Sequence, residues 1–185
     1  MTGFYFTLLA VLLAGFGARD QVTVAGLAER QGARPGALLV AIAVAAGTAA
    51  FAAWAATLVM PLLVQKARMI LAAMAFAFAG AEALLLAPRR RPEEPTESLV
   101  VLAIVLLAHQ LTDAARFLVF AIAVATAAPI PAGLAGAVGG AVLMGVAWTM
   151  SGAVTHPRLR SSRRLIGVAL LLVGAVLALG AFDRI

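Results

Sequence analysis

Ionisable side chains interrupt two segments of the sequence that are otherwise apolar. Arg19 and Asp20, followed by Gln21, lie in the first segment, and Asp113 and Arg116 lie in a segment of the second half. A charge at the centre of a bilayer costs roughly 2.5–3.5 kcal/mol on insertion scales, and intramembrane charges mark ion or proton pathways or pair with one another. These positions are therefore the candidate functional residues.

The second-half cluster occupies one stripe of a helix, because its members are three or four residues apart: His109, Gln110, Asp113 and Arg116. Arg19 and Asp20 are adjacent in sequence, so they point about 100° apart and need partners on other helices. We expect Asp20 to pair with Arg116, and Asp113 with Arg19. An alternative is that these pairs only fasten two helices together, since a neutral network is what a structural role requires.

The elements that carry these residues are predicted to be membrane-spanning helices. The 185-residue chain is 64% hydrophobic and has a mean hydropathy of +1.06, whereas soluble domains are nearer half apolar. A span needs about 20 apolar residues, and six such segments take up nearly the whole chain: 3–28, 36–60, 67–87, 98–126, 132–154 and 165–182. The predicted fold is all-α, a polytopic membrane protein of six transmembrane helices.

Basic residues in the connections predict the orientation of the chain. Nine Lys and Arg residues, Arg163 among them, lie in the connections between helices 1 and 2, 3 and 4, and 5 and 6, against three on the opposite side. The positive-inside rule places the nine in the cytoplasm and both termini outside, and we expect the inner (plasma) membrane of a bacterium. Glu82, one turn from the central connection, is interpreted as a side chain that snorkels to the surface.

Several classes of function are excluded by composition. Cysteine is absent, so there are no disulfides, thiolate metal sites or cysteine nucleophiles. The basic residues lie between apolar segments and not on one face, which argues against nucleic acid as a partner. No set of catalytic residues is apparent, so we expect no enzymatic activity and no bound cofactor. The expected partners are the lipid bilayer and a small inorganic ion or other small solute, and a homo-oligomer is left open.

The two halves of the chain resemble each other. Trp54 and Thr57 of helix 2 match Trp148 and Ser151 of helix 5 at an offset of 94. Each half has three spans, so the second copy would be inserted upside down, as in transporters with inverted repeats. We expect a first repeat over residues 1–87, a charged cytoplasmic linker over 88–97 and a second repeat over 98–185. The alternative is that helices rich in Ala and Leu match by chance.

This layout and the two polar segments resemble the Gdt-type manganese/calcium:proton exchanger family of the Golgi and of bacteria. Its motif, Glu-x-Gly-Asp-(Lys/Arg)-(Ser/Thr) followed by Gln, occurs once in each half. The first copy matches residues 15–21, where Gly17, Arg19 and Gln21 are kept but Gly15 and Ala18 replace the acids. The second copy matches residues 110–117 and keeps only Asp113.

The resemblance implies exchange of Mn²⁺ or Ca²⁺ for protons. By position, the candidate metal ligands are Asp20, Gln21, Gln110 and Asp113, and the candidate transport and coupling residues are Asp113, Asp20, Arg19, Arg116 and His109. Two intact motifs would supply four carboxylates and two basic groups, whereas this chain supplies two of each. A divalent ion would then be left uncompensated in a medium of low dielectric constant. We therefore expect a secondary transporter with an altered or weakened metal site, or else a non-transporting membrane scaffold of the same fold.

Overall fold

The protein is described by a computed structural model that covers residues 2–32, 34–86, 98–154, 156 and 158–182. Within these ranges every element is helical and no strand occurs, as the sequence predicts. The helices are α1 (Thr2–Gly15), α2 (Arg19–Gln31), α3 (Pro35–Val59), α4 (Gln65–Leu85), α5 (Leu99–Leu111), α6 (Ala114–Thr126), α7 (Pro129–Thr149), α8 (Ser151–Val154) and α9 (Arg158–Ala181). The predicted linker 88–97 lies outside the described residues.

Four stretches of helix are long and apolar enough to cross a bilayer, and two bent pairs of helices can be added to them. The four are Pro35–Leu62, Gln65–Leu85, Pro129–Thr149 and Ser161–Ala181. The helix direction bends by 59° between α1 and α2 and by 53° between α5 and α6, and each pair together is long and apolar enough to form one broken span. The chain is therefore an integral membrane protein with four to six candidate spans.

The helices expected over 3–28 and 98–126 are broken, and the local sequence explains where. Gly17 has a φ of +73°, a left-handed conformation that suits glycine and ends α1. Thr112 and Asp113 separate α5 from α6, and the Asp113 side chain caps α6 by accepting a hydrogen bond from the Ala115 N–H at 3.2 Å. Aspartate is favoured at this position because its oxygen satisfies an amide that has no partner within the helix.

The other boundaries move by several residues. The helix expected to end at 154 instead ends at Thr149, where the short α8 follows, and α9 begins at Arg158, seven residues before the expected start. The first turns of α9 are polar, so a prediction from hydropathy alone omits them. The backbone is nevertheless already helical before the apolar segment begins.

Small residues allow the helices to pack closely, as is usual between helices in membranes. Along α3 and α7 the contacts run Ala53 with Gly133, Ala49 with Gly136 and Ala45 with Gly140, so these two helices are antiparallel. The helices α4 and α9 are also antiparallel, because Gly80 contacts Gly167 and Gly174 contacts Ala73. By the same argument α1 is antiparallel to α6 and parallel to α7, as shown by these contacts: Gly3 with Thr126, Gly15 with Ala115, Val11 with Gly139 and Gly15 with Leu143.

Large apolar side chains cover the outside of the bundle while alanine and glycine fill its interior. Leu39, Trp54, Leu107 and Leu172 are examples of exposed large side chains on three different helices. This inverted distribution of side-chain size is expected where the solvent is hydrocarbon. A groove of about 450 Å³ between α1, α6, α4 and α9 is lined almost wholly by apolar side chains, so it suits acyl chains and not a polar solute.

Candidate functional site

The two helix breaks lie against each other. Arg19, the first residue of α2, donates from Nη2 to the Thr112 hydroxyl oxygen at 2.9 Å and to the Thr112 carbonyl oxygen at 3.4 Å. Thr112 immediately precedes the cap of α6. The polar segments singled out in the two halves of the sequence therefore meet in one place.

Asp20 is buried in the first turn of α2, with 5% of its surface exposed. Its Oδ1 accepts a hydrogen bond from the Gln21 N–H at 2.8 Å. The Gln110 side-chain amide faces this carboxylate, and Arg116 and Arg163 are the positive charges that act on it. Asp20 of the first half thus lies close to Gln110 and Arg116 of the second half, and proximity of Asp20 to Arg116 is what the sequence predicts.

Arg116 points into the same region from α6. Its Nε donates to the Thr48 hydroxyl oxygen on α3 at 2.8 Å, and Thr48 lies 3.0 Å from Gln110 Oε1. Asp113 and Asp20 are the acidic groups that act on the Arg116 guanidinium. The hydroxyl of Thr48, a residue that the sequence pattern does not single out, therefore connects two of the predicted residues, Arg116 and Gln110.

Gln21 is fully buried and fixes the first break to another helix. Its Oε1 accepts from the Gly17 N–H at 2.6 Å, and its Nε2 donates to the Leu143 carbonyl oxygen on α7 at 2.7 Å. The side chain thereby satisfies an amide left open by the left-handed turn. Gln21 therefore has a structural role, because its side chain holds the break between α1 and α2 against α7.

Glu82 and Arg163 belong to the same network, although the sequence interpretation placed neither there. Glu82 was expected to snorkel, and this is wrong: the side chain is 3% exposed, and its Oε2 lies 2.9 Å from Arg163 Nη2. Arg163, counted as a loop residue, is equally buried and donates to the Ala14 carbonyl oxygen at 3.0 Å. Arg19 Nε is 3.5 Å from the other oxygen, Glu82 Oε1.

A signal for both residues exists in the spacing of small side chains. Glu82 follows Ala72, Ala75 and Ala79 at intervals of three or four residues, and these alanines form the buried face of α4. Arg163 precedes Gly167 by four residues on the face of α9 that packs against α4. Small-residue stripes mark helix–helix contacts in membranes, so each charge could have been assigned to the interior.

The expected ion pairs form with different partners. Arg19 pairs with Glu82 and not with Asp113. Arg116 is hydrogen-bonded to Thr48, and the charges of Asp113 and Asp20 act on its guanidinium. The reason is that a third acid and a third arginine enter the network from α4 and α9.

Charge in the network is balanced. Three carboxylates face three guanidinium groups, whereas two of each were expected from sequence: Asp20, Glu82 and Asp113 against Arg19, Arg116 and Arg163. The formal sum remains zero. This is the condition under which several charges can be buried together without a large net penalty.

Buried polar atoms with incomplete hydrogen bonding cluster at the site. Six side-chain atoms of the network have no hydrogen-bond partner among the described residues: Arg19 Nε, Glu82 Oε1, Gln110 Nε2, Asp113 Oδ1, Arg116 Nη1 and Arg163 Nε. Buried polar atoms are nearly always paired, so each exception calls for a physical explanation. The exceptions are spread over the whole network, so its hydrogen bonding is incomplete on both sides of the two helix breaks.

His109 is the remaining residue that the sequence singles out, and the acidic and histidine side chains around it decide whether a metal ion could be held. His109 lies in the last turn of α5, next to Gln110, and is partly buried. In the described part of the chain, no three His, Asp or Glu side chains are grouped so that they could hold a metal ion.

Comparison with known proteins gives no match to a protein-family model, to a curated protein or to a solved structure.

Proposed function

We propose that this protein is a secondary transporter that moves a small inorganic ion across the bilayer, with a weakened site for divalent cations. One observation carries the proposal: the breaks of two bent helix pairs, each long and apolar enough to be one broken span, meet in a buried network of charged side chains. Broken helices whose ends converge at mid-membrane are the usual construction of transporter sites, because the breaks free polar groups where they line a site.

The directions of the helices support six spans. If each bent pair is one span, the chain crosses six times, and spans 1 and 5 must run parallel while spans 1 and 4, 2 and 5, and 3 and 6 run antiparallel. The contacts of α1 with α7, α1 with α6, α3 with α7 and α4 with α9 all agree with this alternation. Odd numbers of spans per half then give the halves opposite orientations.

A constant shift of 95 residues supports the inverted repeat. Gln21 contacts Leu143 and Arg116 contacts Thr48; adding 95 turns 21 into 116, and 48 into 143. The same shift relates the residues that precede α2 and α6, Ala18 and Asp113. Each half thus reaches across to the other with an equivalent contact. The shift differs by one residue from the offset of 94 between the tryptophans.

Charge determines which ions the site can favour. With three acids and three arginines, a bound Mn²⁺ or Ca²⁺ would add about two uncompensated charges in a region of low dielectric constant. Such ions also prefer several oxygen ligands at once. The proposed transporter therefore handles divalent cations weakly, and a proton or a monovalent ion fits the balance better.

The competing function is a membrane scaffold that transports nothing. Its support is the pairing of Glu82 with Arg19 and Arg163, which ties α4, α2 and α9 together as a structural network would. Transport is favoured over this alternative because the network lies where the two helix breaks meet, and a network that only fastens helices together needs no break in them.

Proton flux into proteoliposomes, recorded across a panel of monovalent and divalent cations, tests the proposal. We expect cation-dependent flux for the wild type and its loss in Asp113→Asn. Glu29→Gln is the matched control, because Glu29 is an exposed acid of α2 outside the network, and it should retain flux. Wild-type liposomes that behave like empty liposomes for every cation would leave the scaffold as the function.

A further inference from the structure

Positions 21 and 116 are equivalent under the 95-residue shift, yet they carry different side chains. In the first half both polar atoms of the Gln21 side-chain amide are hydrogen-bonded to backbone, one to the break and one to α7. In the second half Arg116 reaches the equivalent place on α3 through Nε alone. The rest of its guanidinium extends further into the site, and Nη1 has no hydrogen-bond partner among the described residues.

The surroundings of this guanidinium are oxygen atoms and negative charges. The Thr48 hydroxyl is 2.8 Å from Nε and 3.0 Å from Gln110 Oε1. Asp20 and Asp113 supply the negative charge that acts on Arg116, and one oxygen of Asp113 has no hydrogen-bond partner in the described part of the chain. Two carboxylates, a hydroxyl and an amide oxygen are the ligand types that hard cations prefer.

Space for the guanidinium is provided by a glycine. A Cβ added at Gly140 of α7 would lie 3.2 Å from Arg116 Nη2 and 3.0 Å from the Ala45 Cβ. Positions 45 and 140 are themselves related by the shift of 95, so α3 and α7 cross next to the guanidinium. The group therefore lies where the two halves meet, which is where an inverted-repeat transporter holds its ion.

We propose that the Arg116 guanidinium is a built-in cation that occupies a cation site formed by Asp20, Asp113, Thr48 and Gln110, and that it excludes divalent ions from this site. The proposal rests on the proposed function for the identity of the site, and it names the residue that sets its specificity. Arginine keeps its charge under all physiological conditions, so the exclusion is permanent. Without it, two carboxylates would face an open position.

Binding of Mn²⁺ and Ca²⁺ to purified Arg116→Gln, which copies the residue of the first half, tests the inference directly. We expect Kd for Mn²⁺ to be at least about 100-fold lower than in the wild type, because one nearby positive charge is removed. Arg116→Lys keeps the charge and should show no gain. The double variant Arg116→Gln with Asp113→Asn should lose the gain again.

Arg68→Gln is the matched control for loss of an arginine. Arg68, near the start of α4, donates from Nε to the Met60 and Leu63 carbonyl oxygens that follow α3, away from the site, so its replacement should leave Mn²⁺ binding at the wild-type level. A gain in Arg68→Gln as large as in Arg116→Gln would assign the effect to net charge and overturn the proposal, as would an Arg116→Gln protein with wild-type Kd.

A second variant keeps the inference testable if Arg116→Gln fails to fold without metal. Arg116→Ala leaves room for free guanidinium ion, and millimolar guanidinium or Mn²⁺ should raise its Tm while leaving the wild-type Tm unchanged. Equal response of variant and wild type would contradict a cation site at this place. Both experiments measure binding without flux, so a protein that transports nothing would still gain the Mn²⁺ site, and the two proposals fail separately.

Discussion

Glu82 is the acid on which two arginines depend. Its carboxylate lies 2.9 Å from Arg163 and 3.5 Å from Arg19, and the side chains of Glu82 and Arg163 are each 3% exposed. Burying such charges yields little net stability, but removing one partner leaves another charge uncompensated. The three side chains come from α4, α9 and α2, so loss of the Glu82 carboxylate would weaken the contacts among these three helices.

Replacing Glu82 by Gln should therefore lower the free energy of unfolding by about 3–5 kcal/mol, because Arg163 would remain buried without its acid. Unfolding followed by tryptophan fluorescence in detergent measures the change. Glu29→Gln, an exposed acid on α2, serves as the control and should change stability by less than about 0.5 kcal/mol. Equal stability of the two variants would mean that Glu82 is not neutralising the arginines.

At this scale the sequence predicts part of the site. The charges of the two central clusters could be found because they interrupt apolar segments, and the structure brings Asp20, Gln110 and Arg116 together. Glu82 and Arg163 lie near the ends of their helices, where hydropathy cannot distinguish a buried charge from a snorkelling one. Partner choice is a property of three-dimensional packing, so Arg19 could not be assigned to Glu82 from spacing.

Among the elements, α4 and α9 approach each other closely through backbone atoms. A Cβ added at Gly80 would lie 2.7 Å from the Gly167 carbonyl oxygen and 2.8 Å from Leu171 Cγ. The first of these is backbone, which cannot turn aside, so the helices would have to separate. Because α4 and α9 hold Glu82 and Arg163, a wider spacing would also stretch their ion pair.

Gly80→Ala should accordingly destabilise the protein by about 1–3 kcal/mol, the usual cost of overpacking. Gly145→Ala on α7 is a matched change of helical glycine with nothing within 4 Å of the added Cβ, and it should be neutral or stabilise by about 0.5–1 kcal/mol. Midpoints of thermal unfolding in detergent distinguish the two. If the two alanine variants melt together, the approach of α4 to α9 is looser than described.

The helices themselves were predictable, but their breaks were not. An apolar segment with a polar residue in its middle is compatible with a continuous helix, since one charged side chain can be paired laterally. The break between α1 and α2 follows from the positive φ of Gly17, and the break between α5 and α6 follows from the capping of α6 by Asp113. Both residue types were visible in the sequence, yet neither forces a break unless neighbouring helices accept the freed backbone groups.

For the whole molecule, the side of the membrane that each connection faces is predicted from the basic residues and from the antiparallel contacts between helices. Arg163 is buried in the network, so it cannot act as a signal in a loop, and Arg68 is engaged with the carbonyl oxygens at the end of α3. Leaving Arg163 and Arg68 out of the count removes one basic residue from each side, and the side predicted to be cytoplasmic still carries more of them. The connection after α2 and the start of α9 are still expected in the cytoplasm.

Single cysteines can test this topology because the chain has none of its own. We expect Lys66→Cys and Ile130→Cys to react with a membrane-impermeant maleimide in intact cells, and Arg34→Cys and Ser161→Cys to react only after the membrane is disrupted. All four positions are exposed on the bundle. A reversal of all four would invert the orientation and retain six spans, whereas Lys66 and Ile130 reacting from opposite sides would contradict the inverted halves. In that case the two breaks could not be related by symmetry, and their meeting would need another cause.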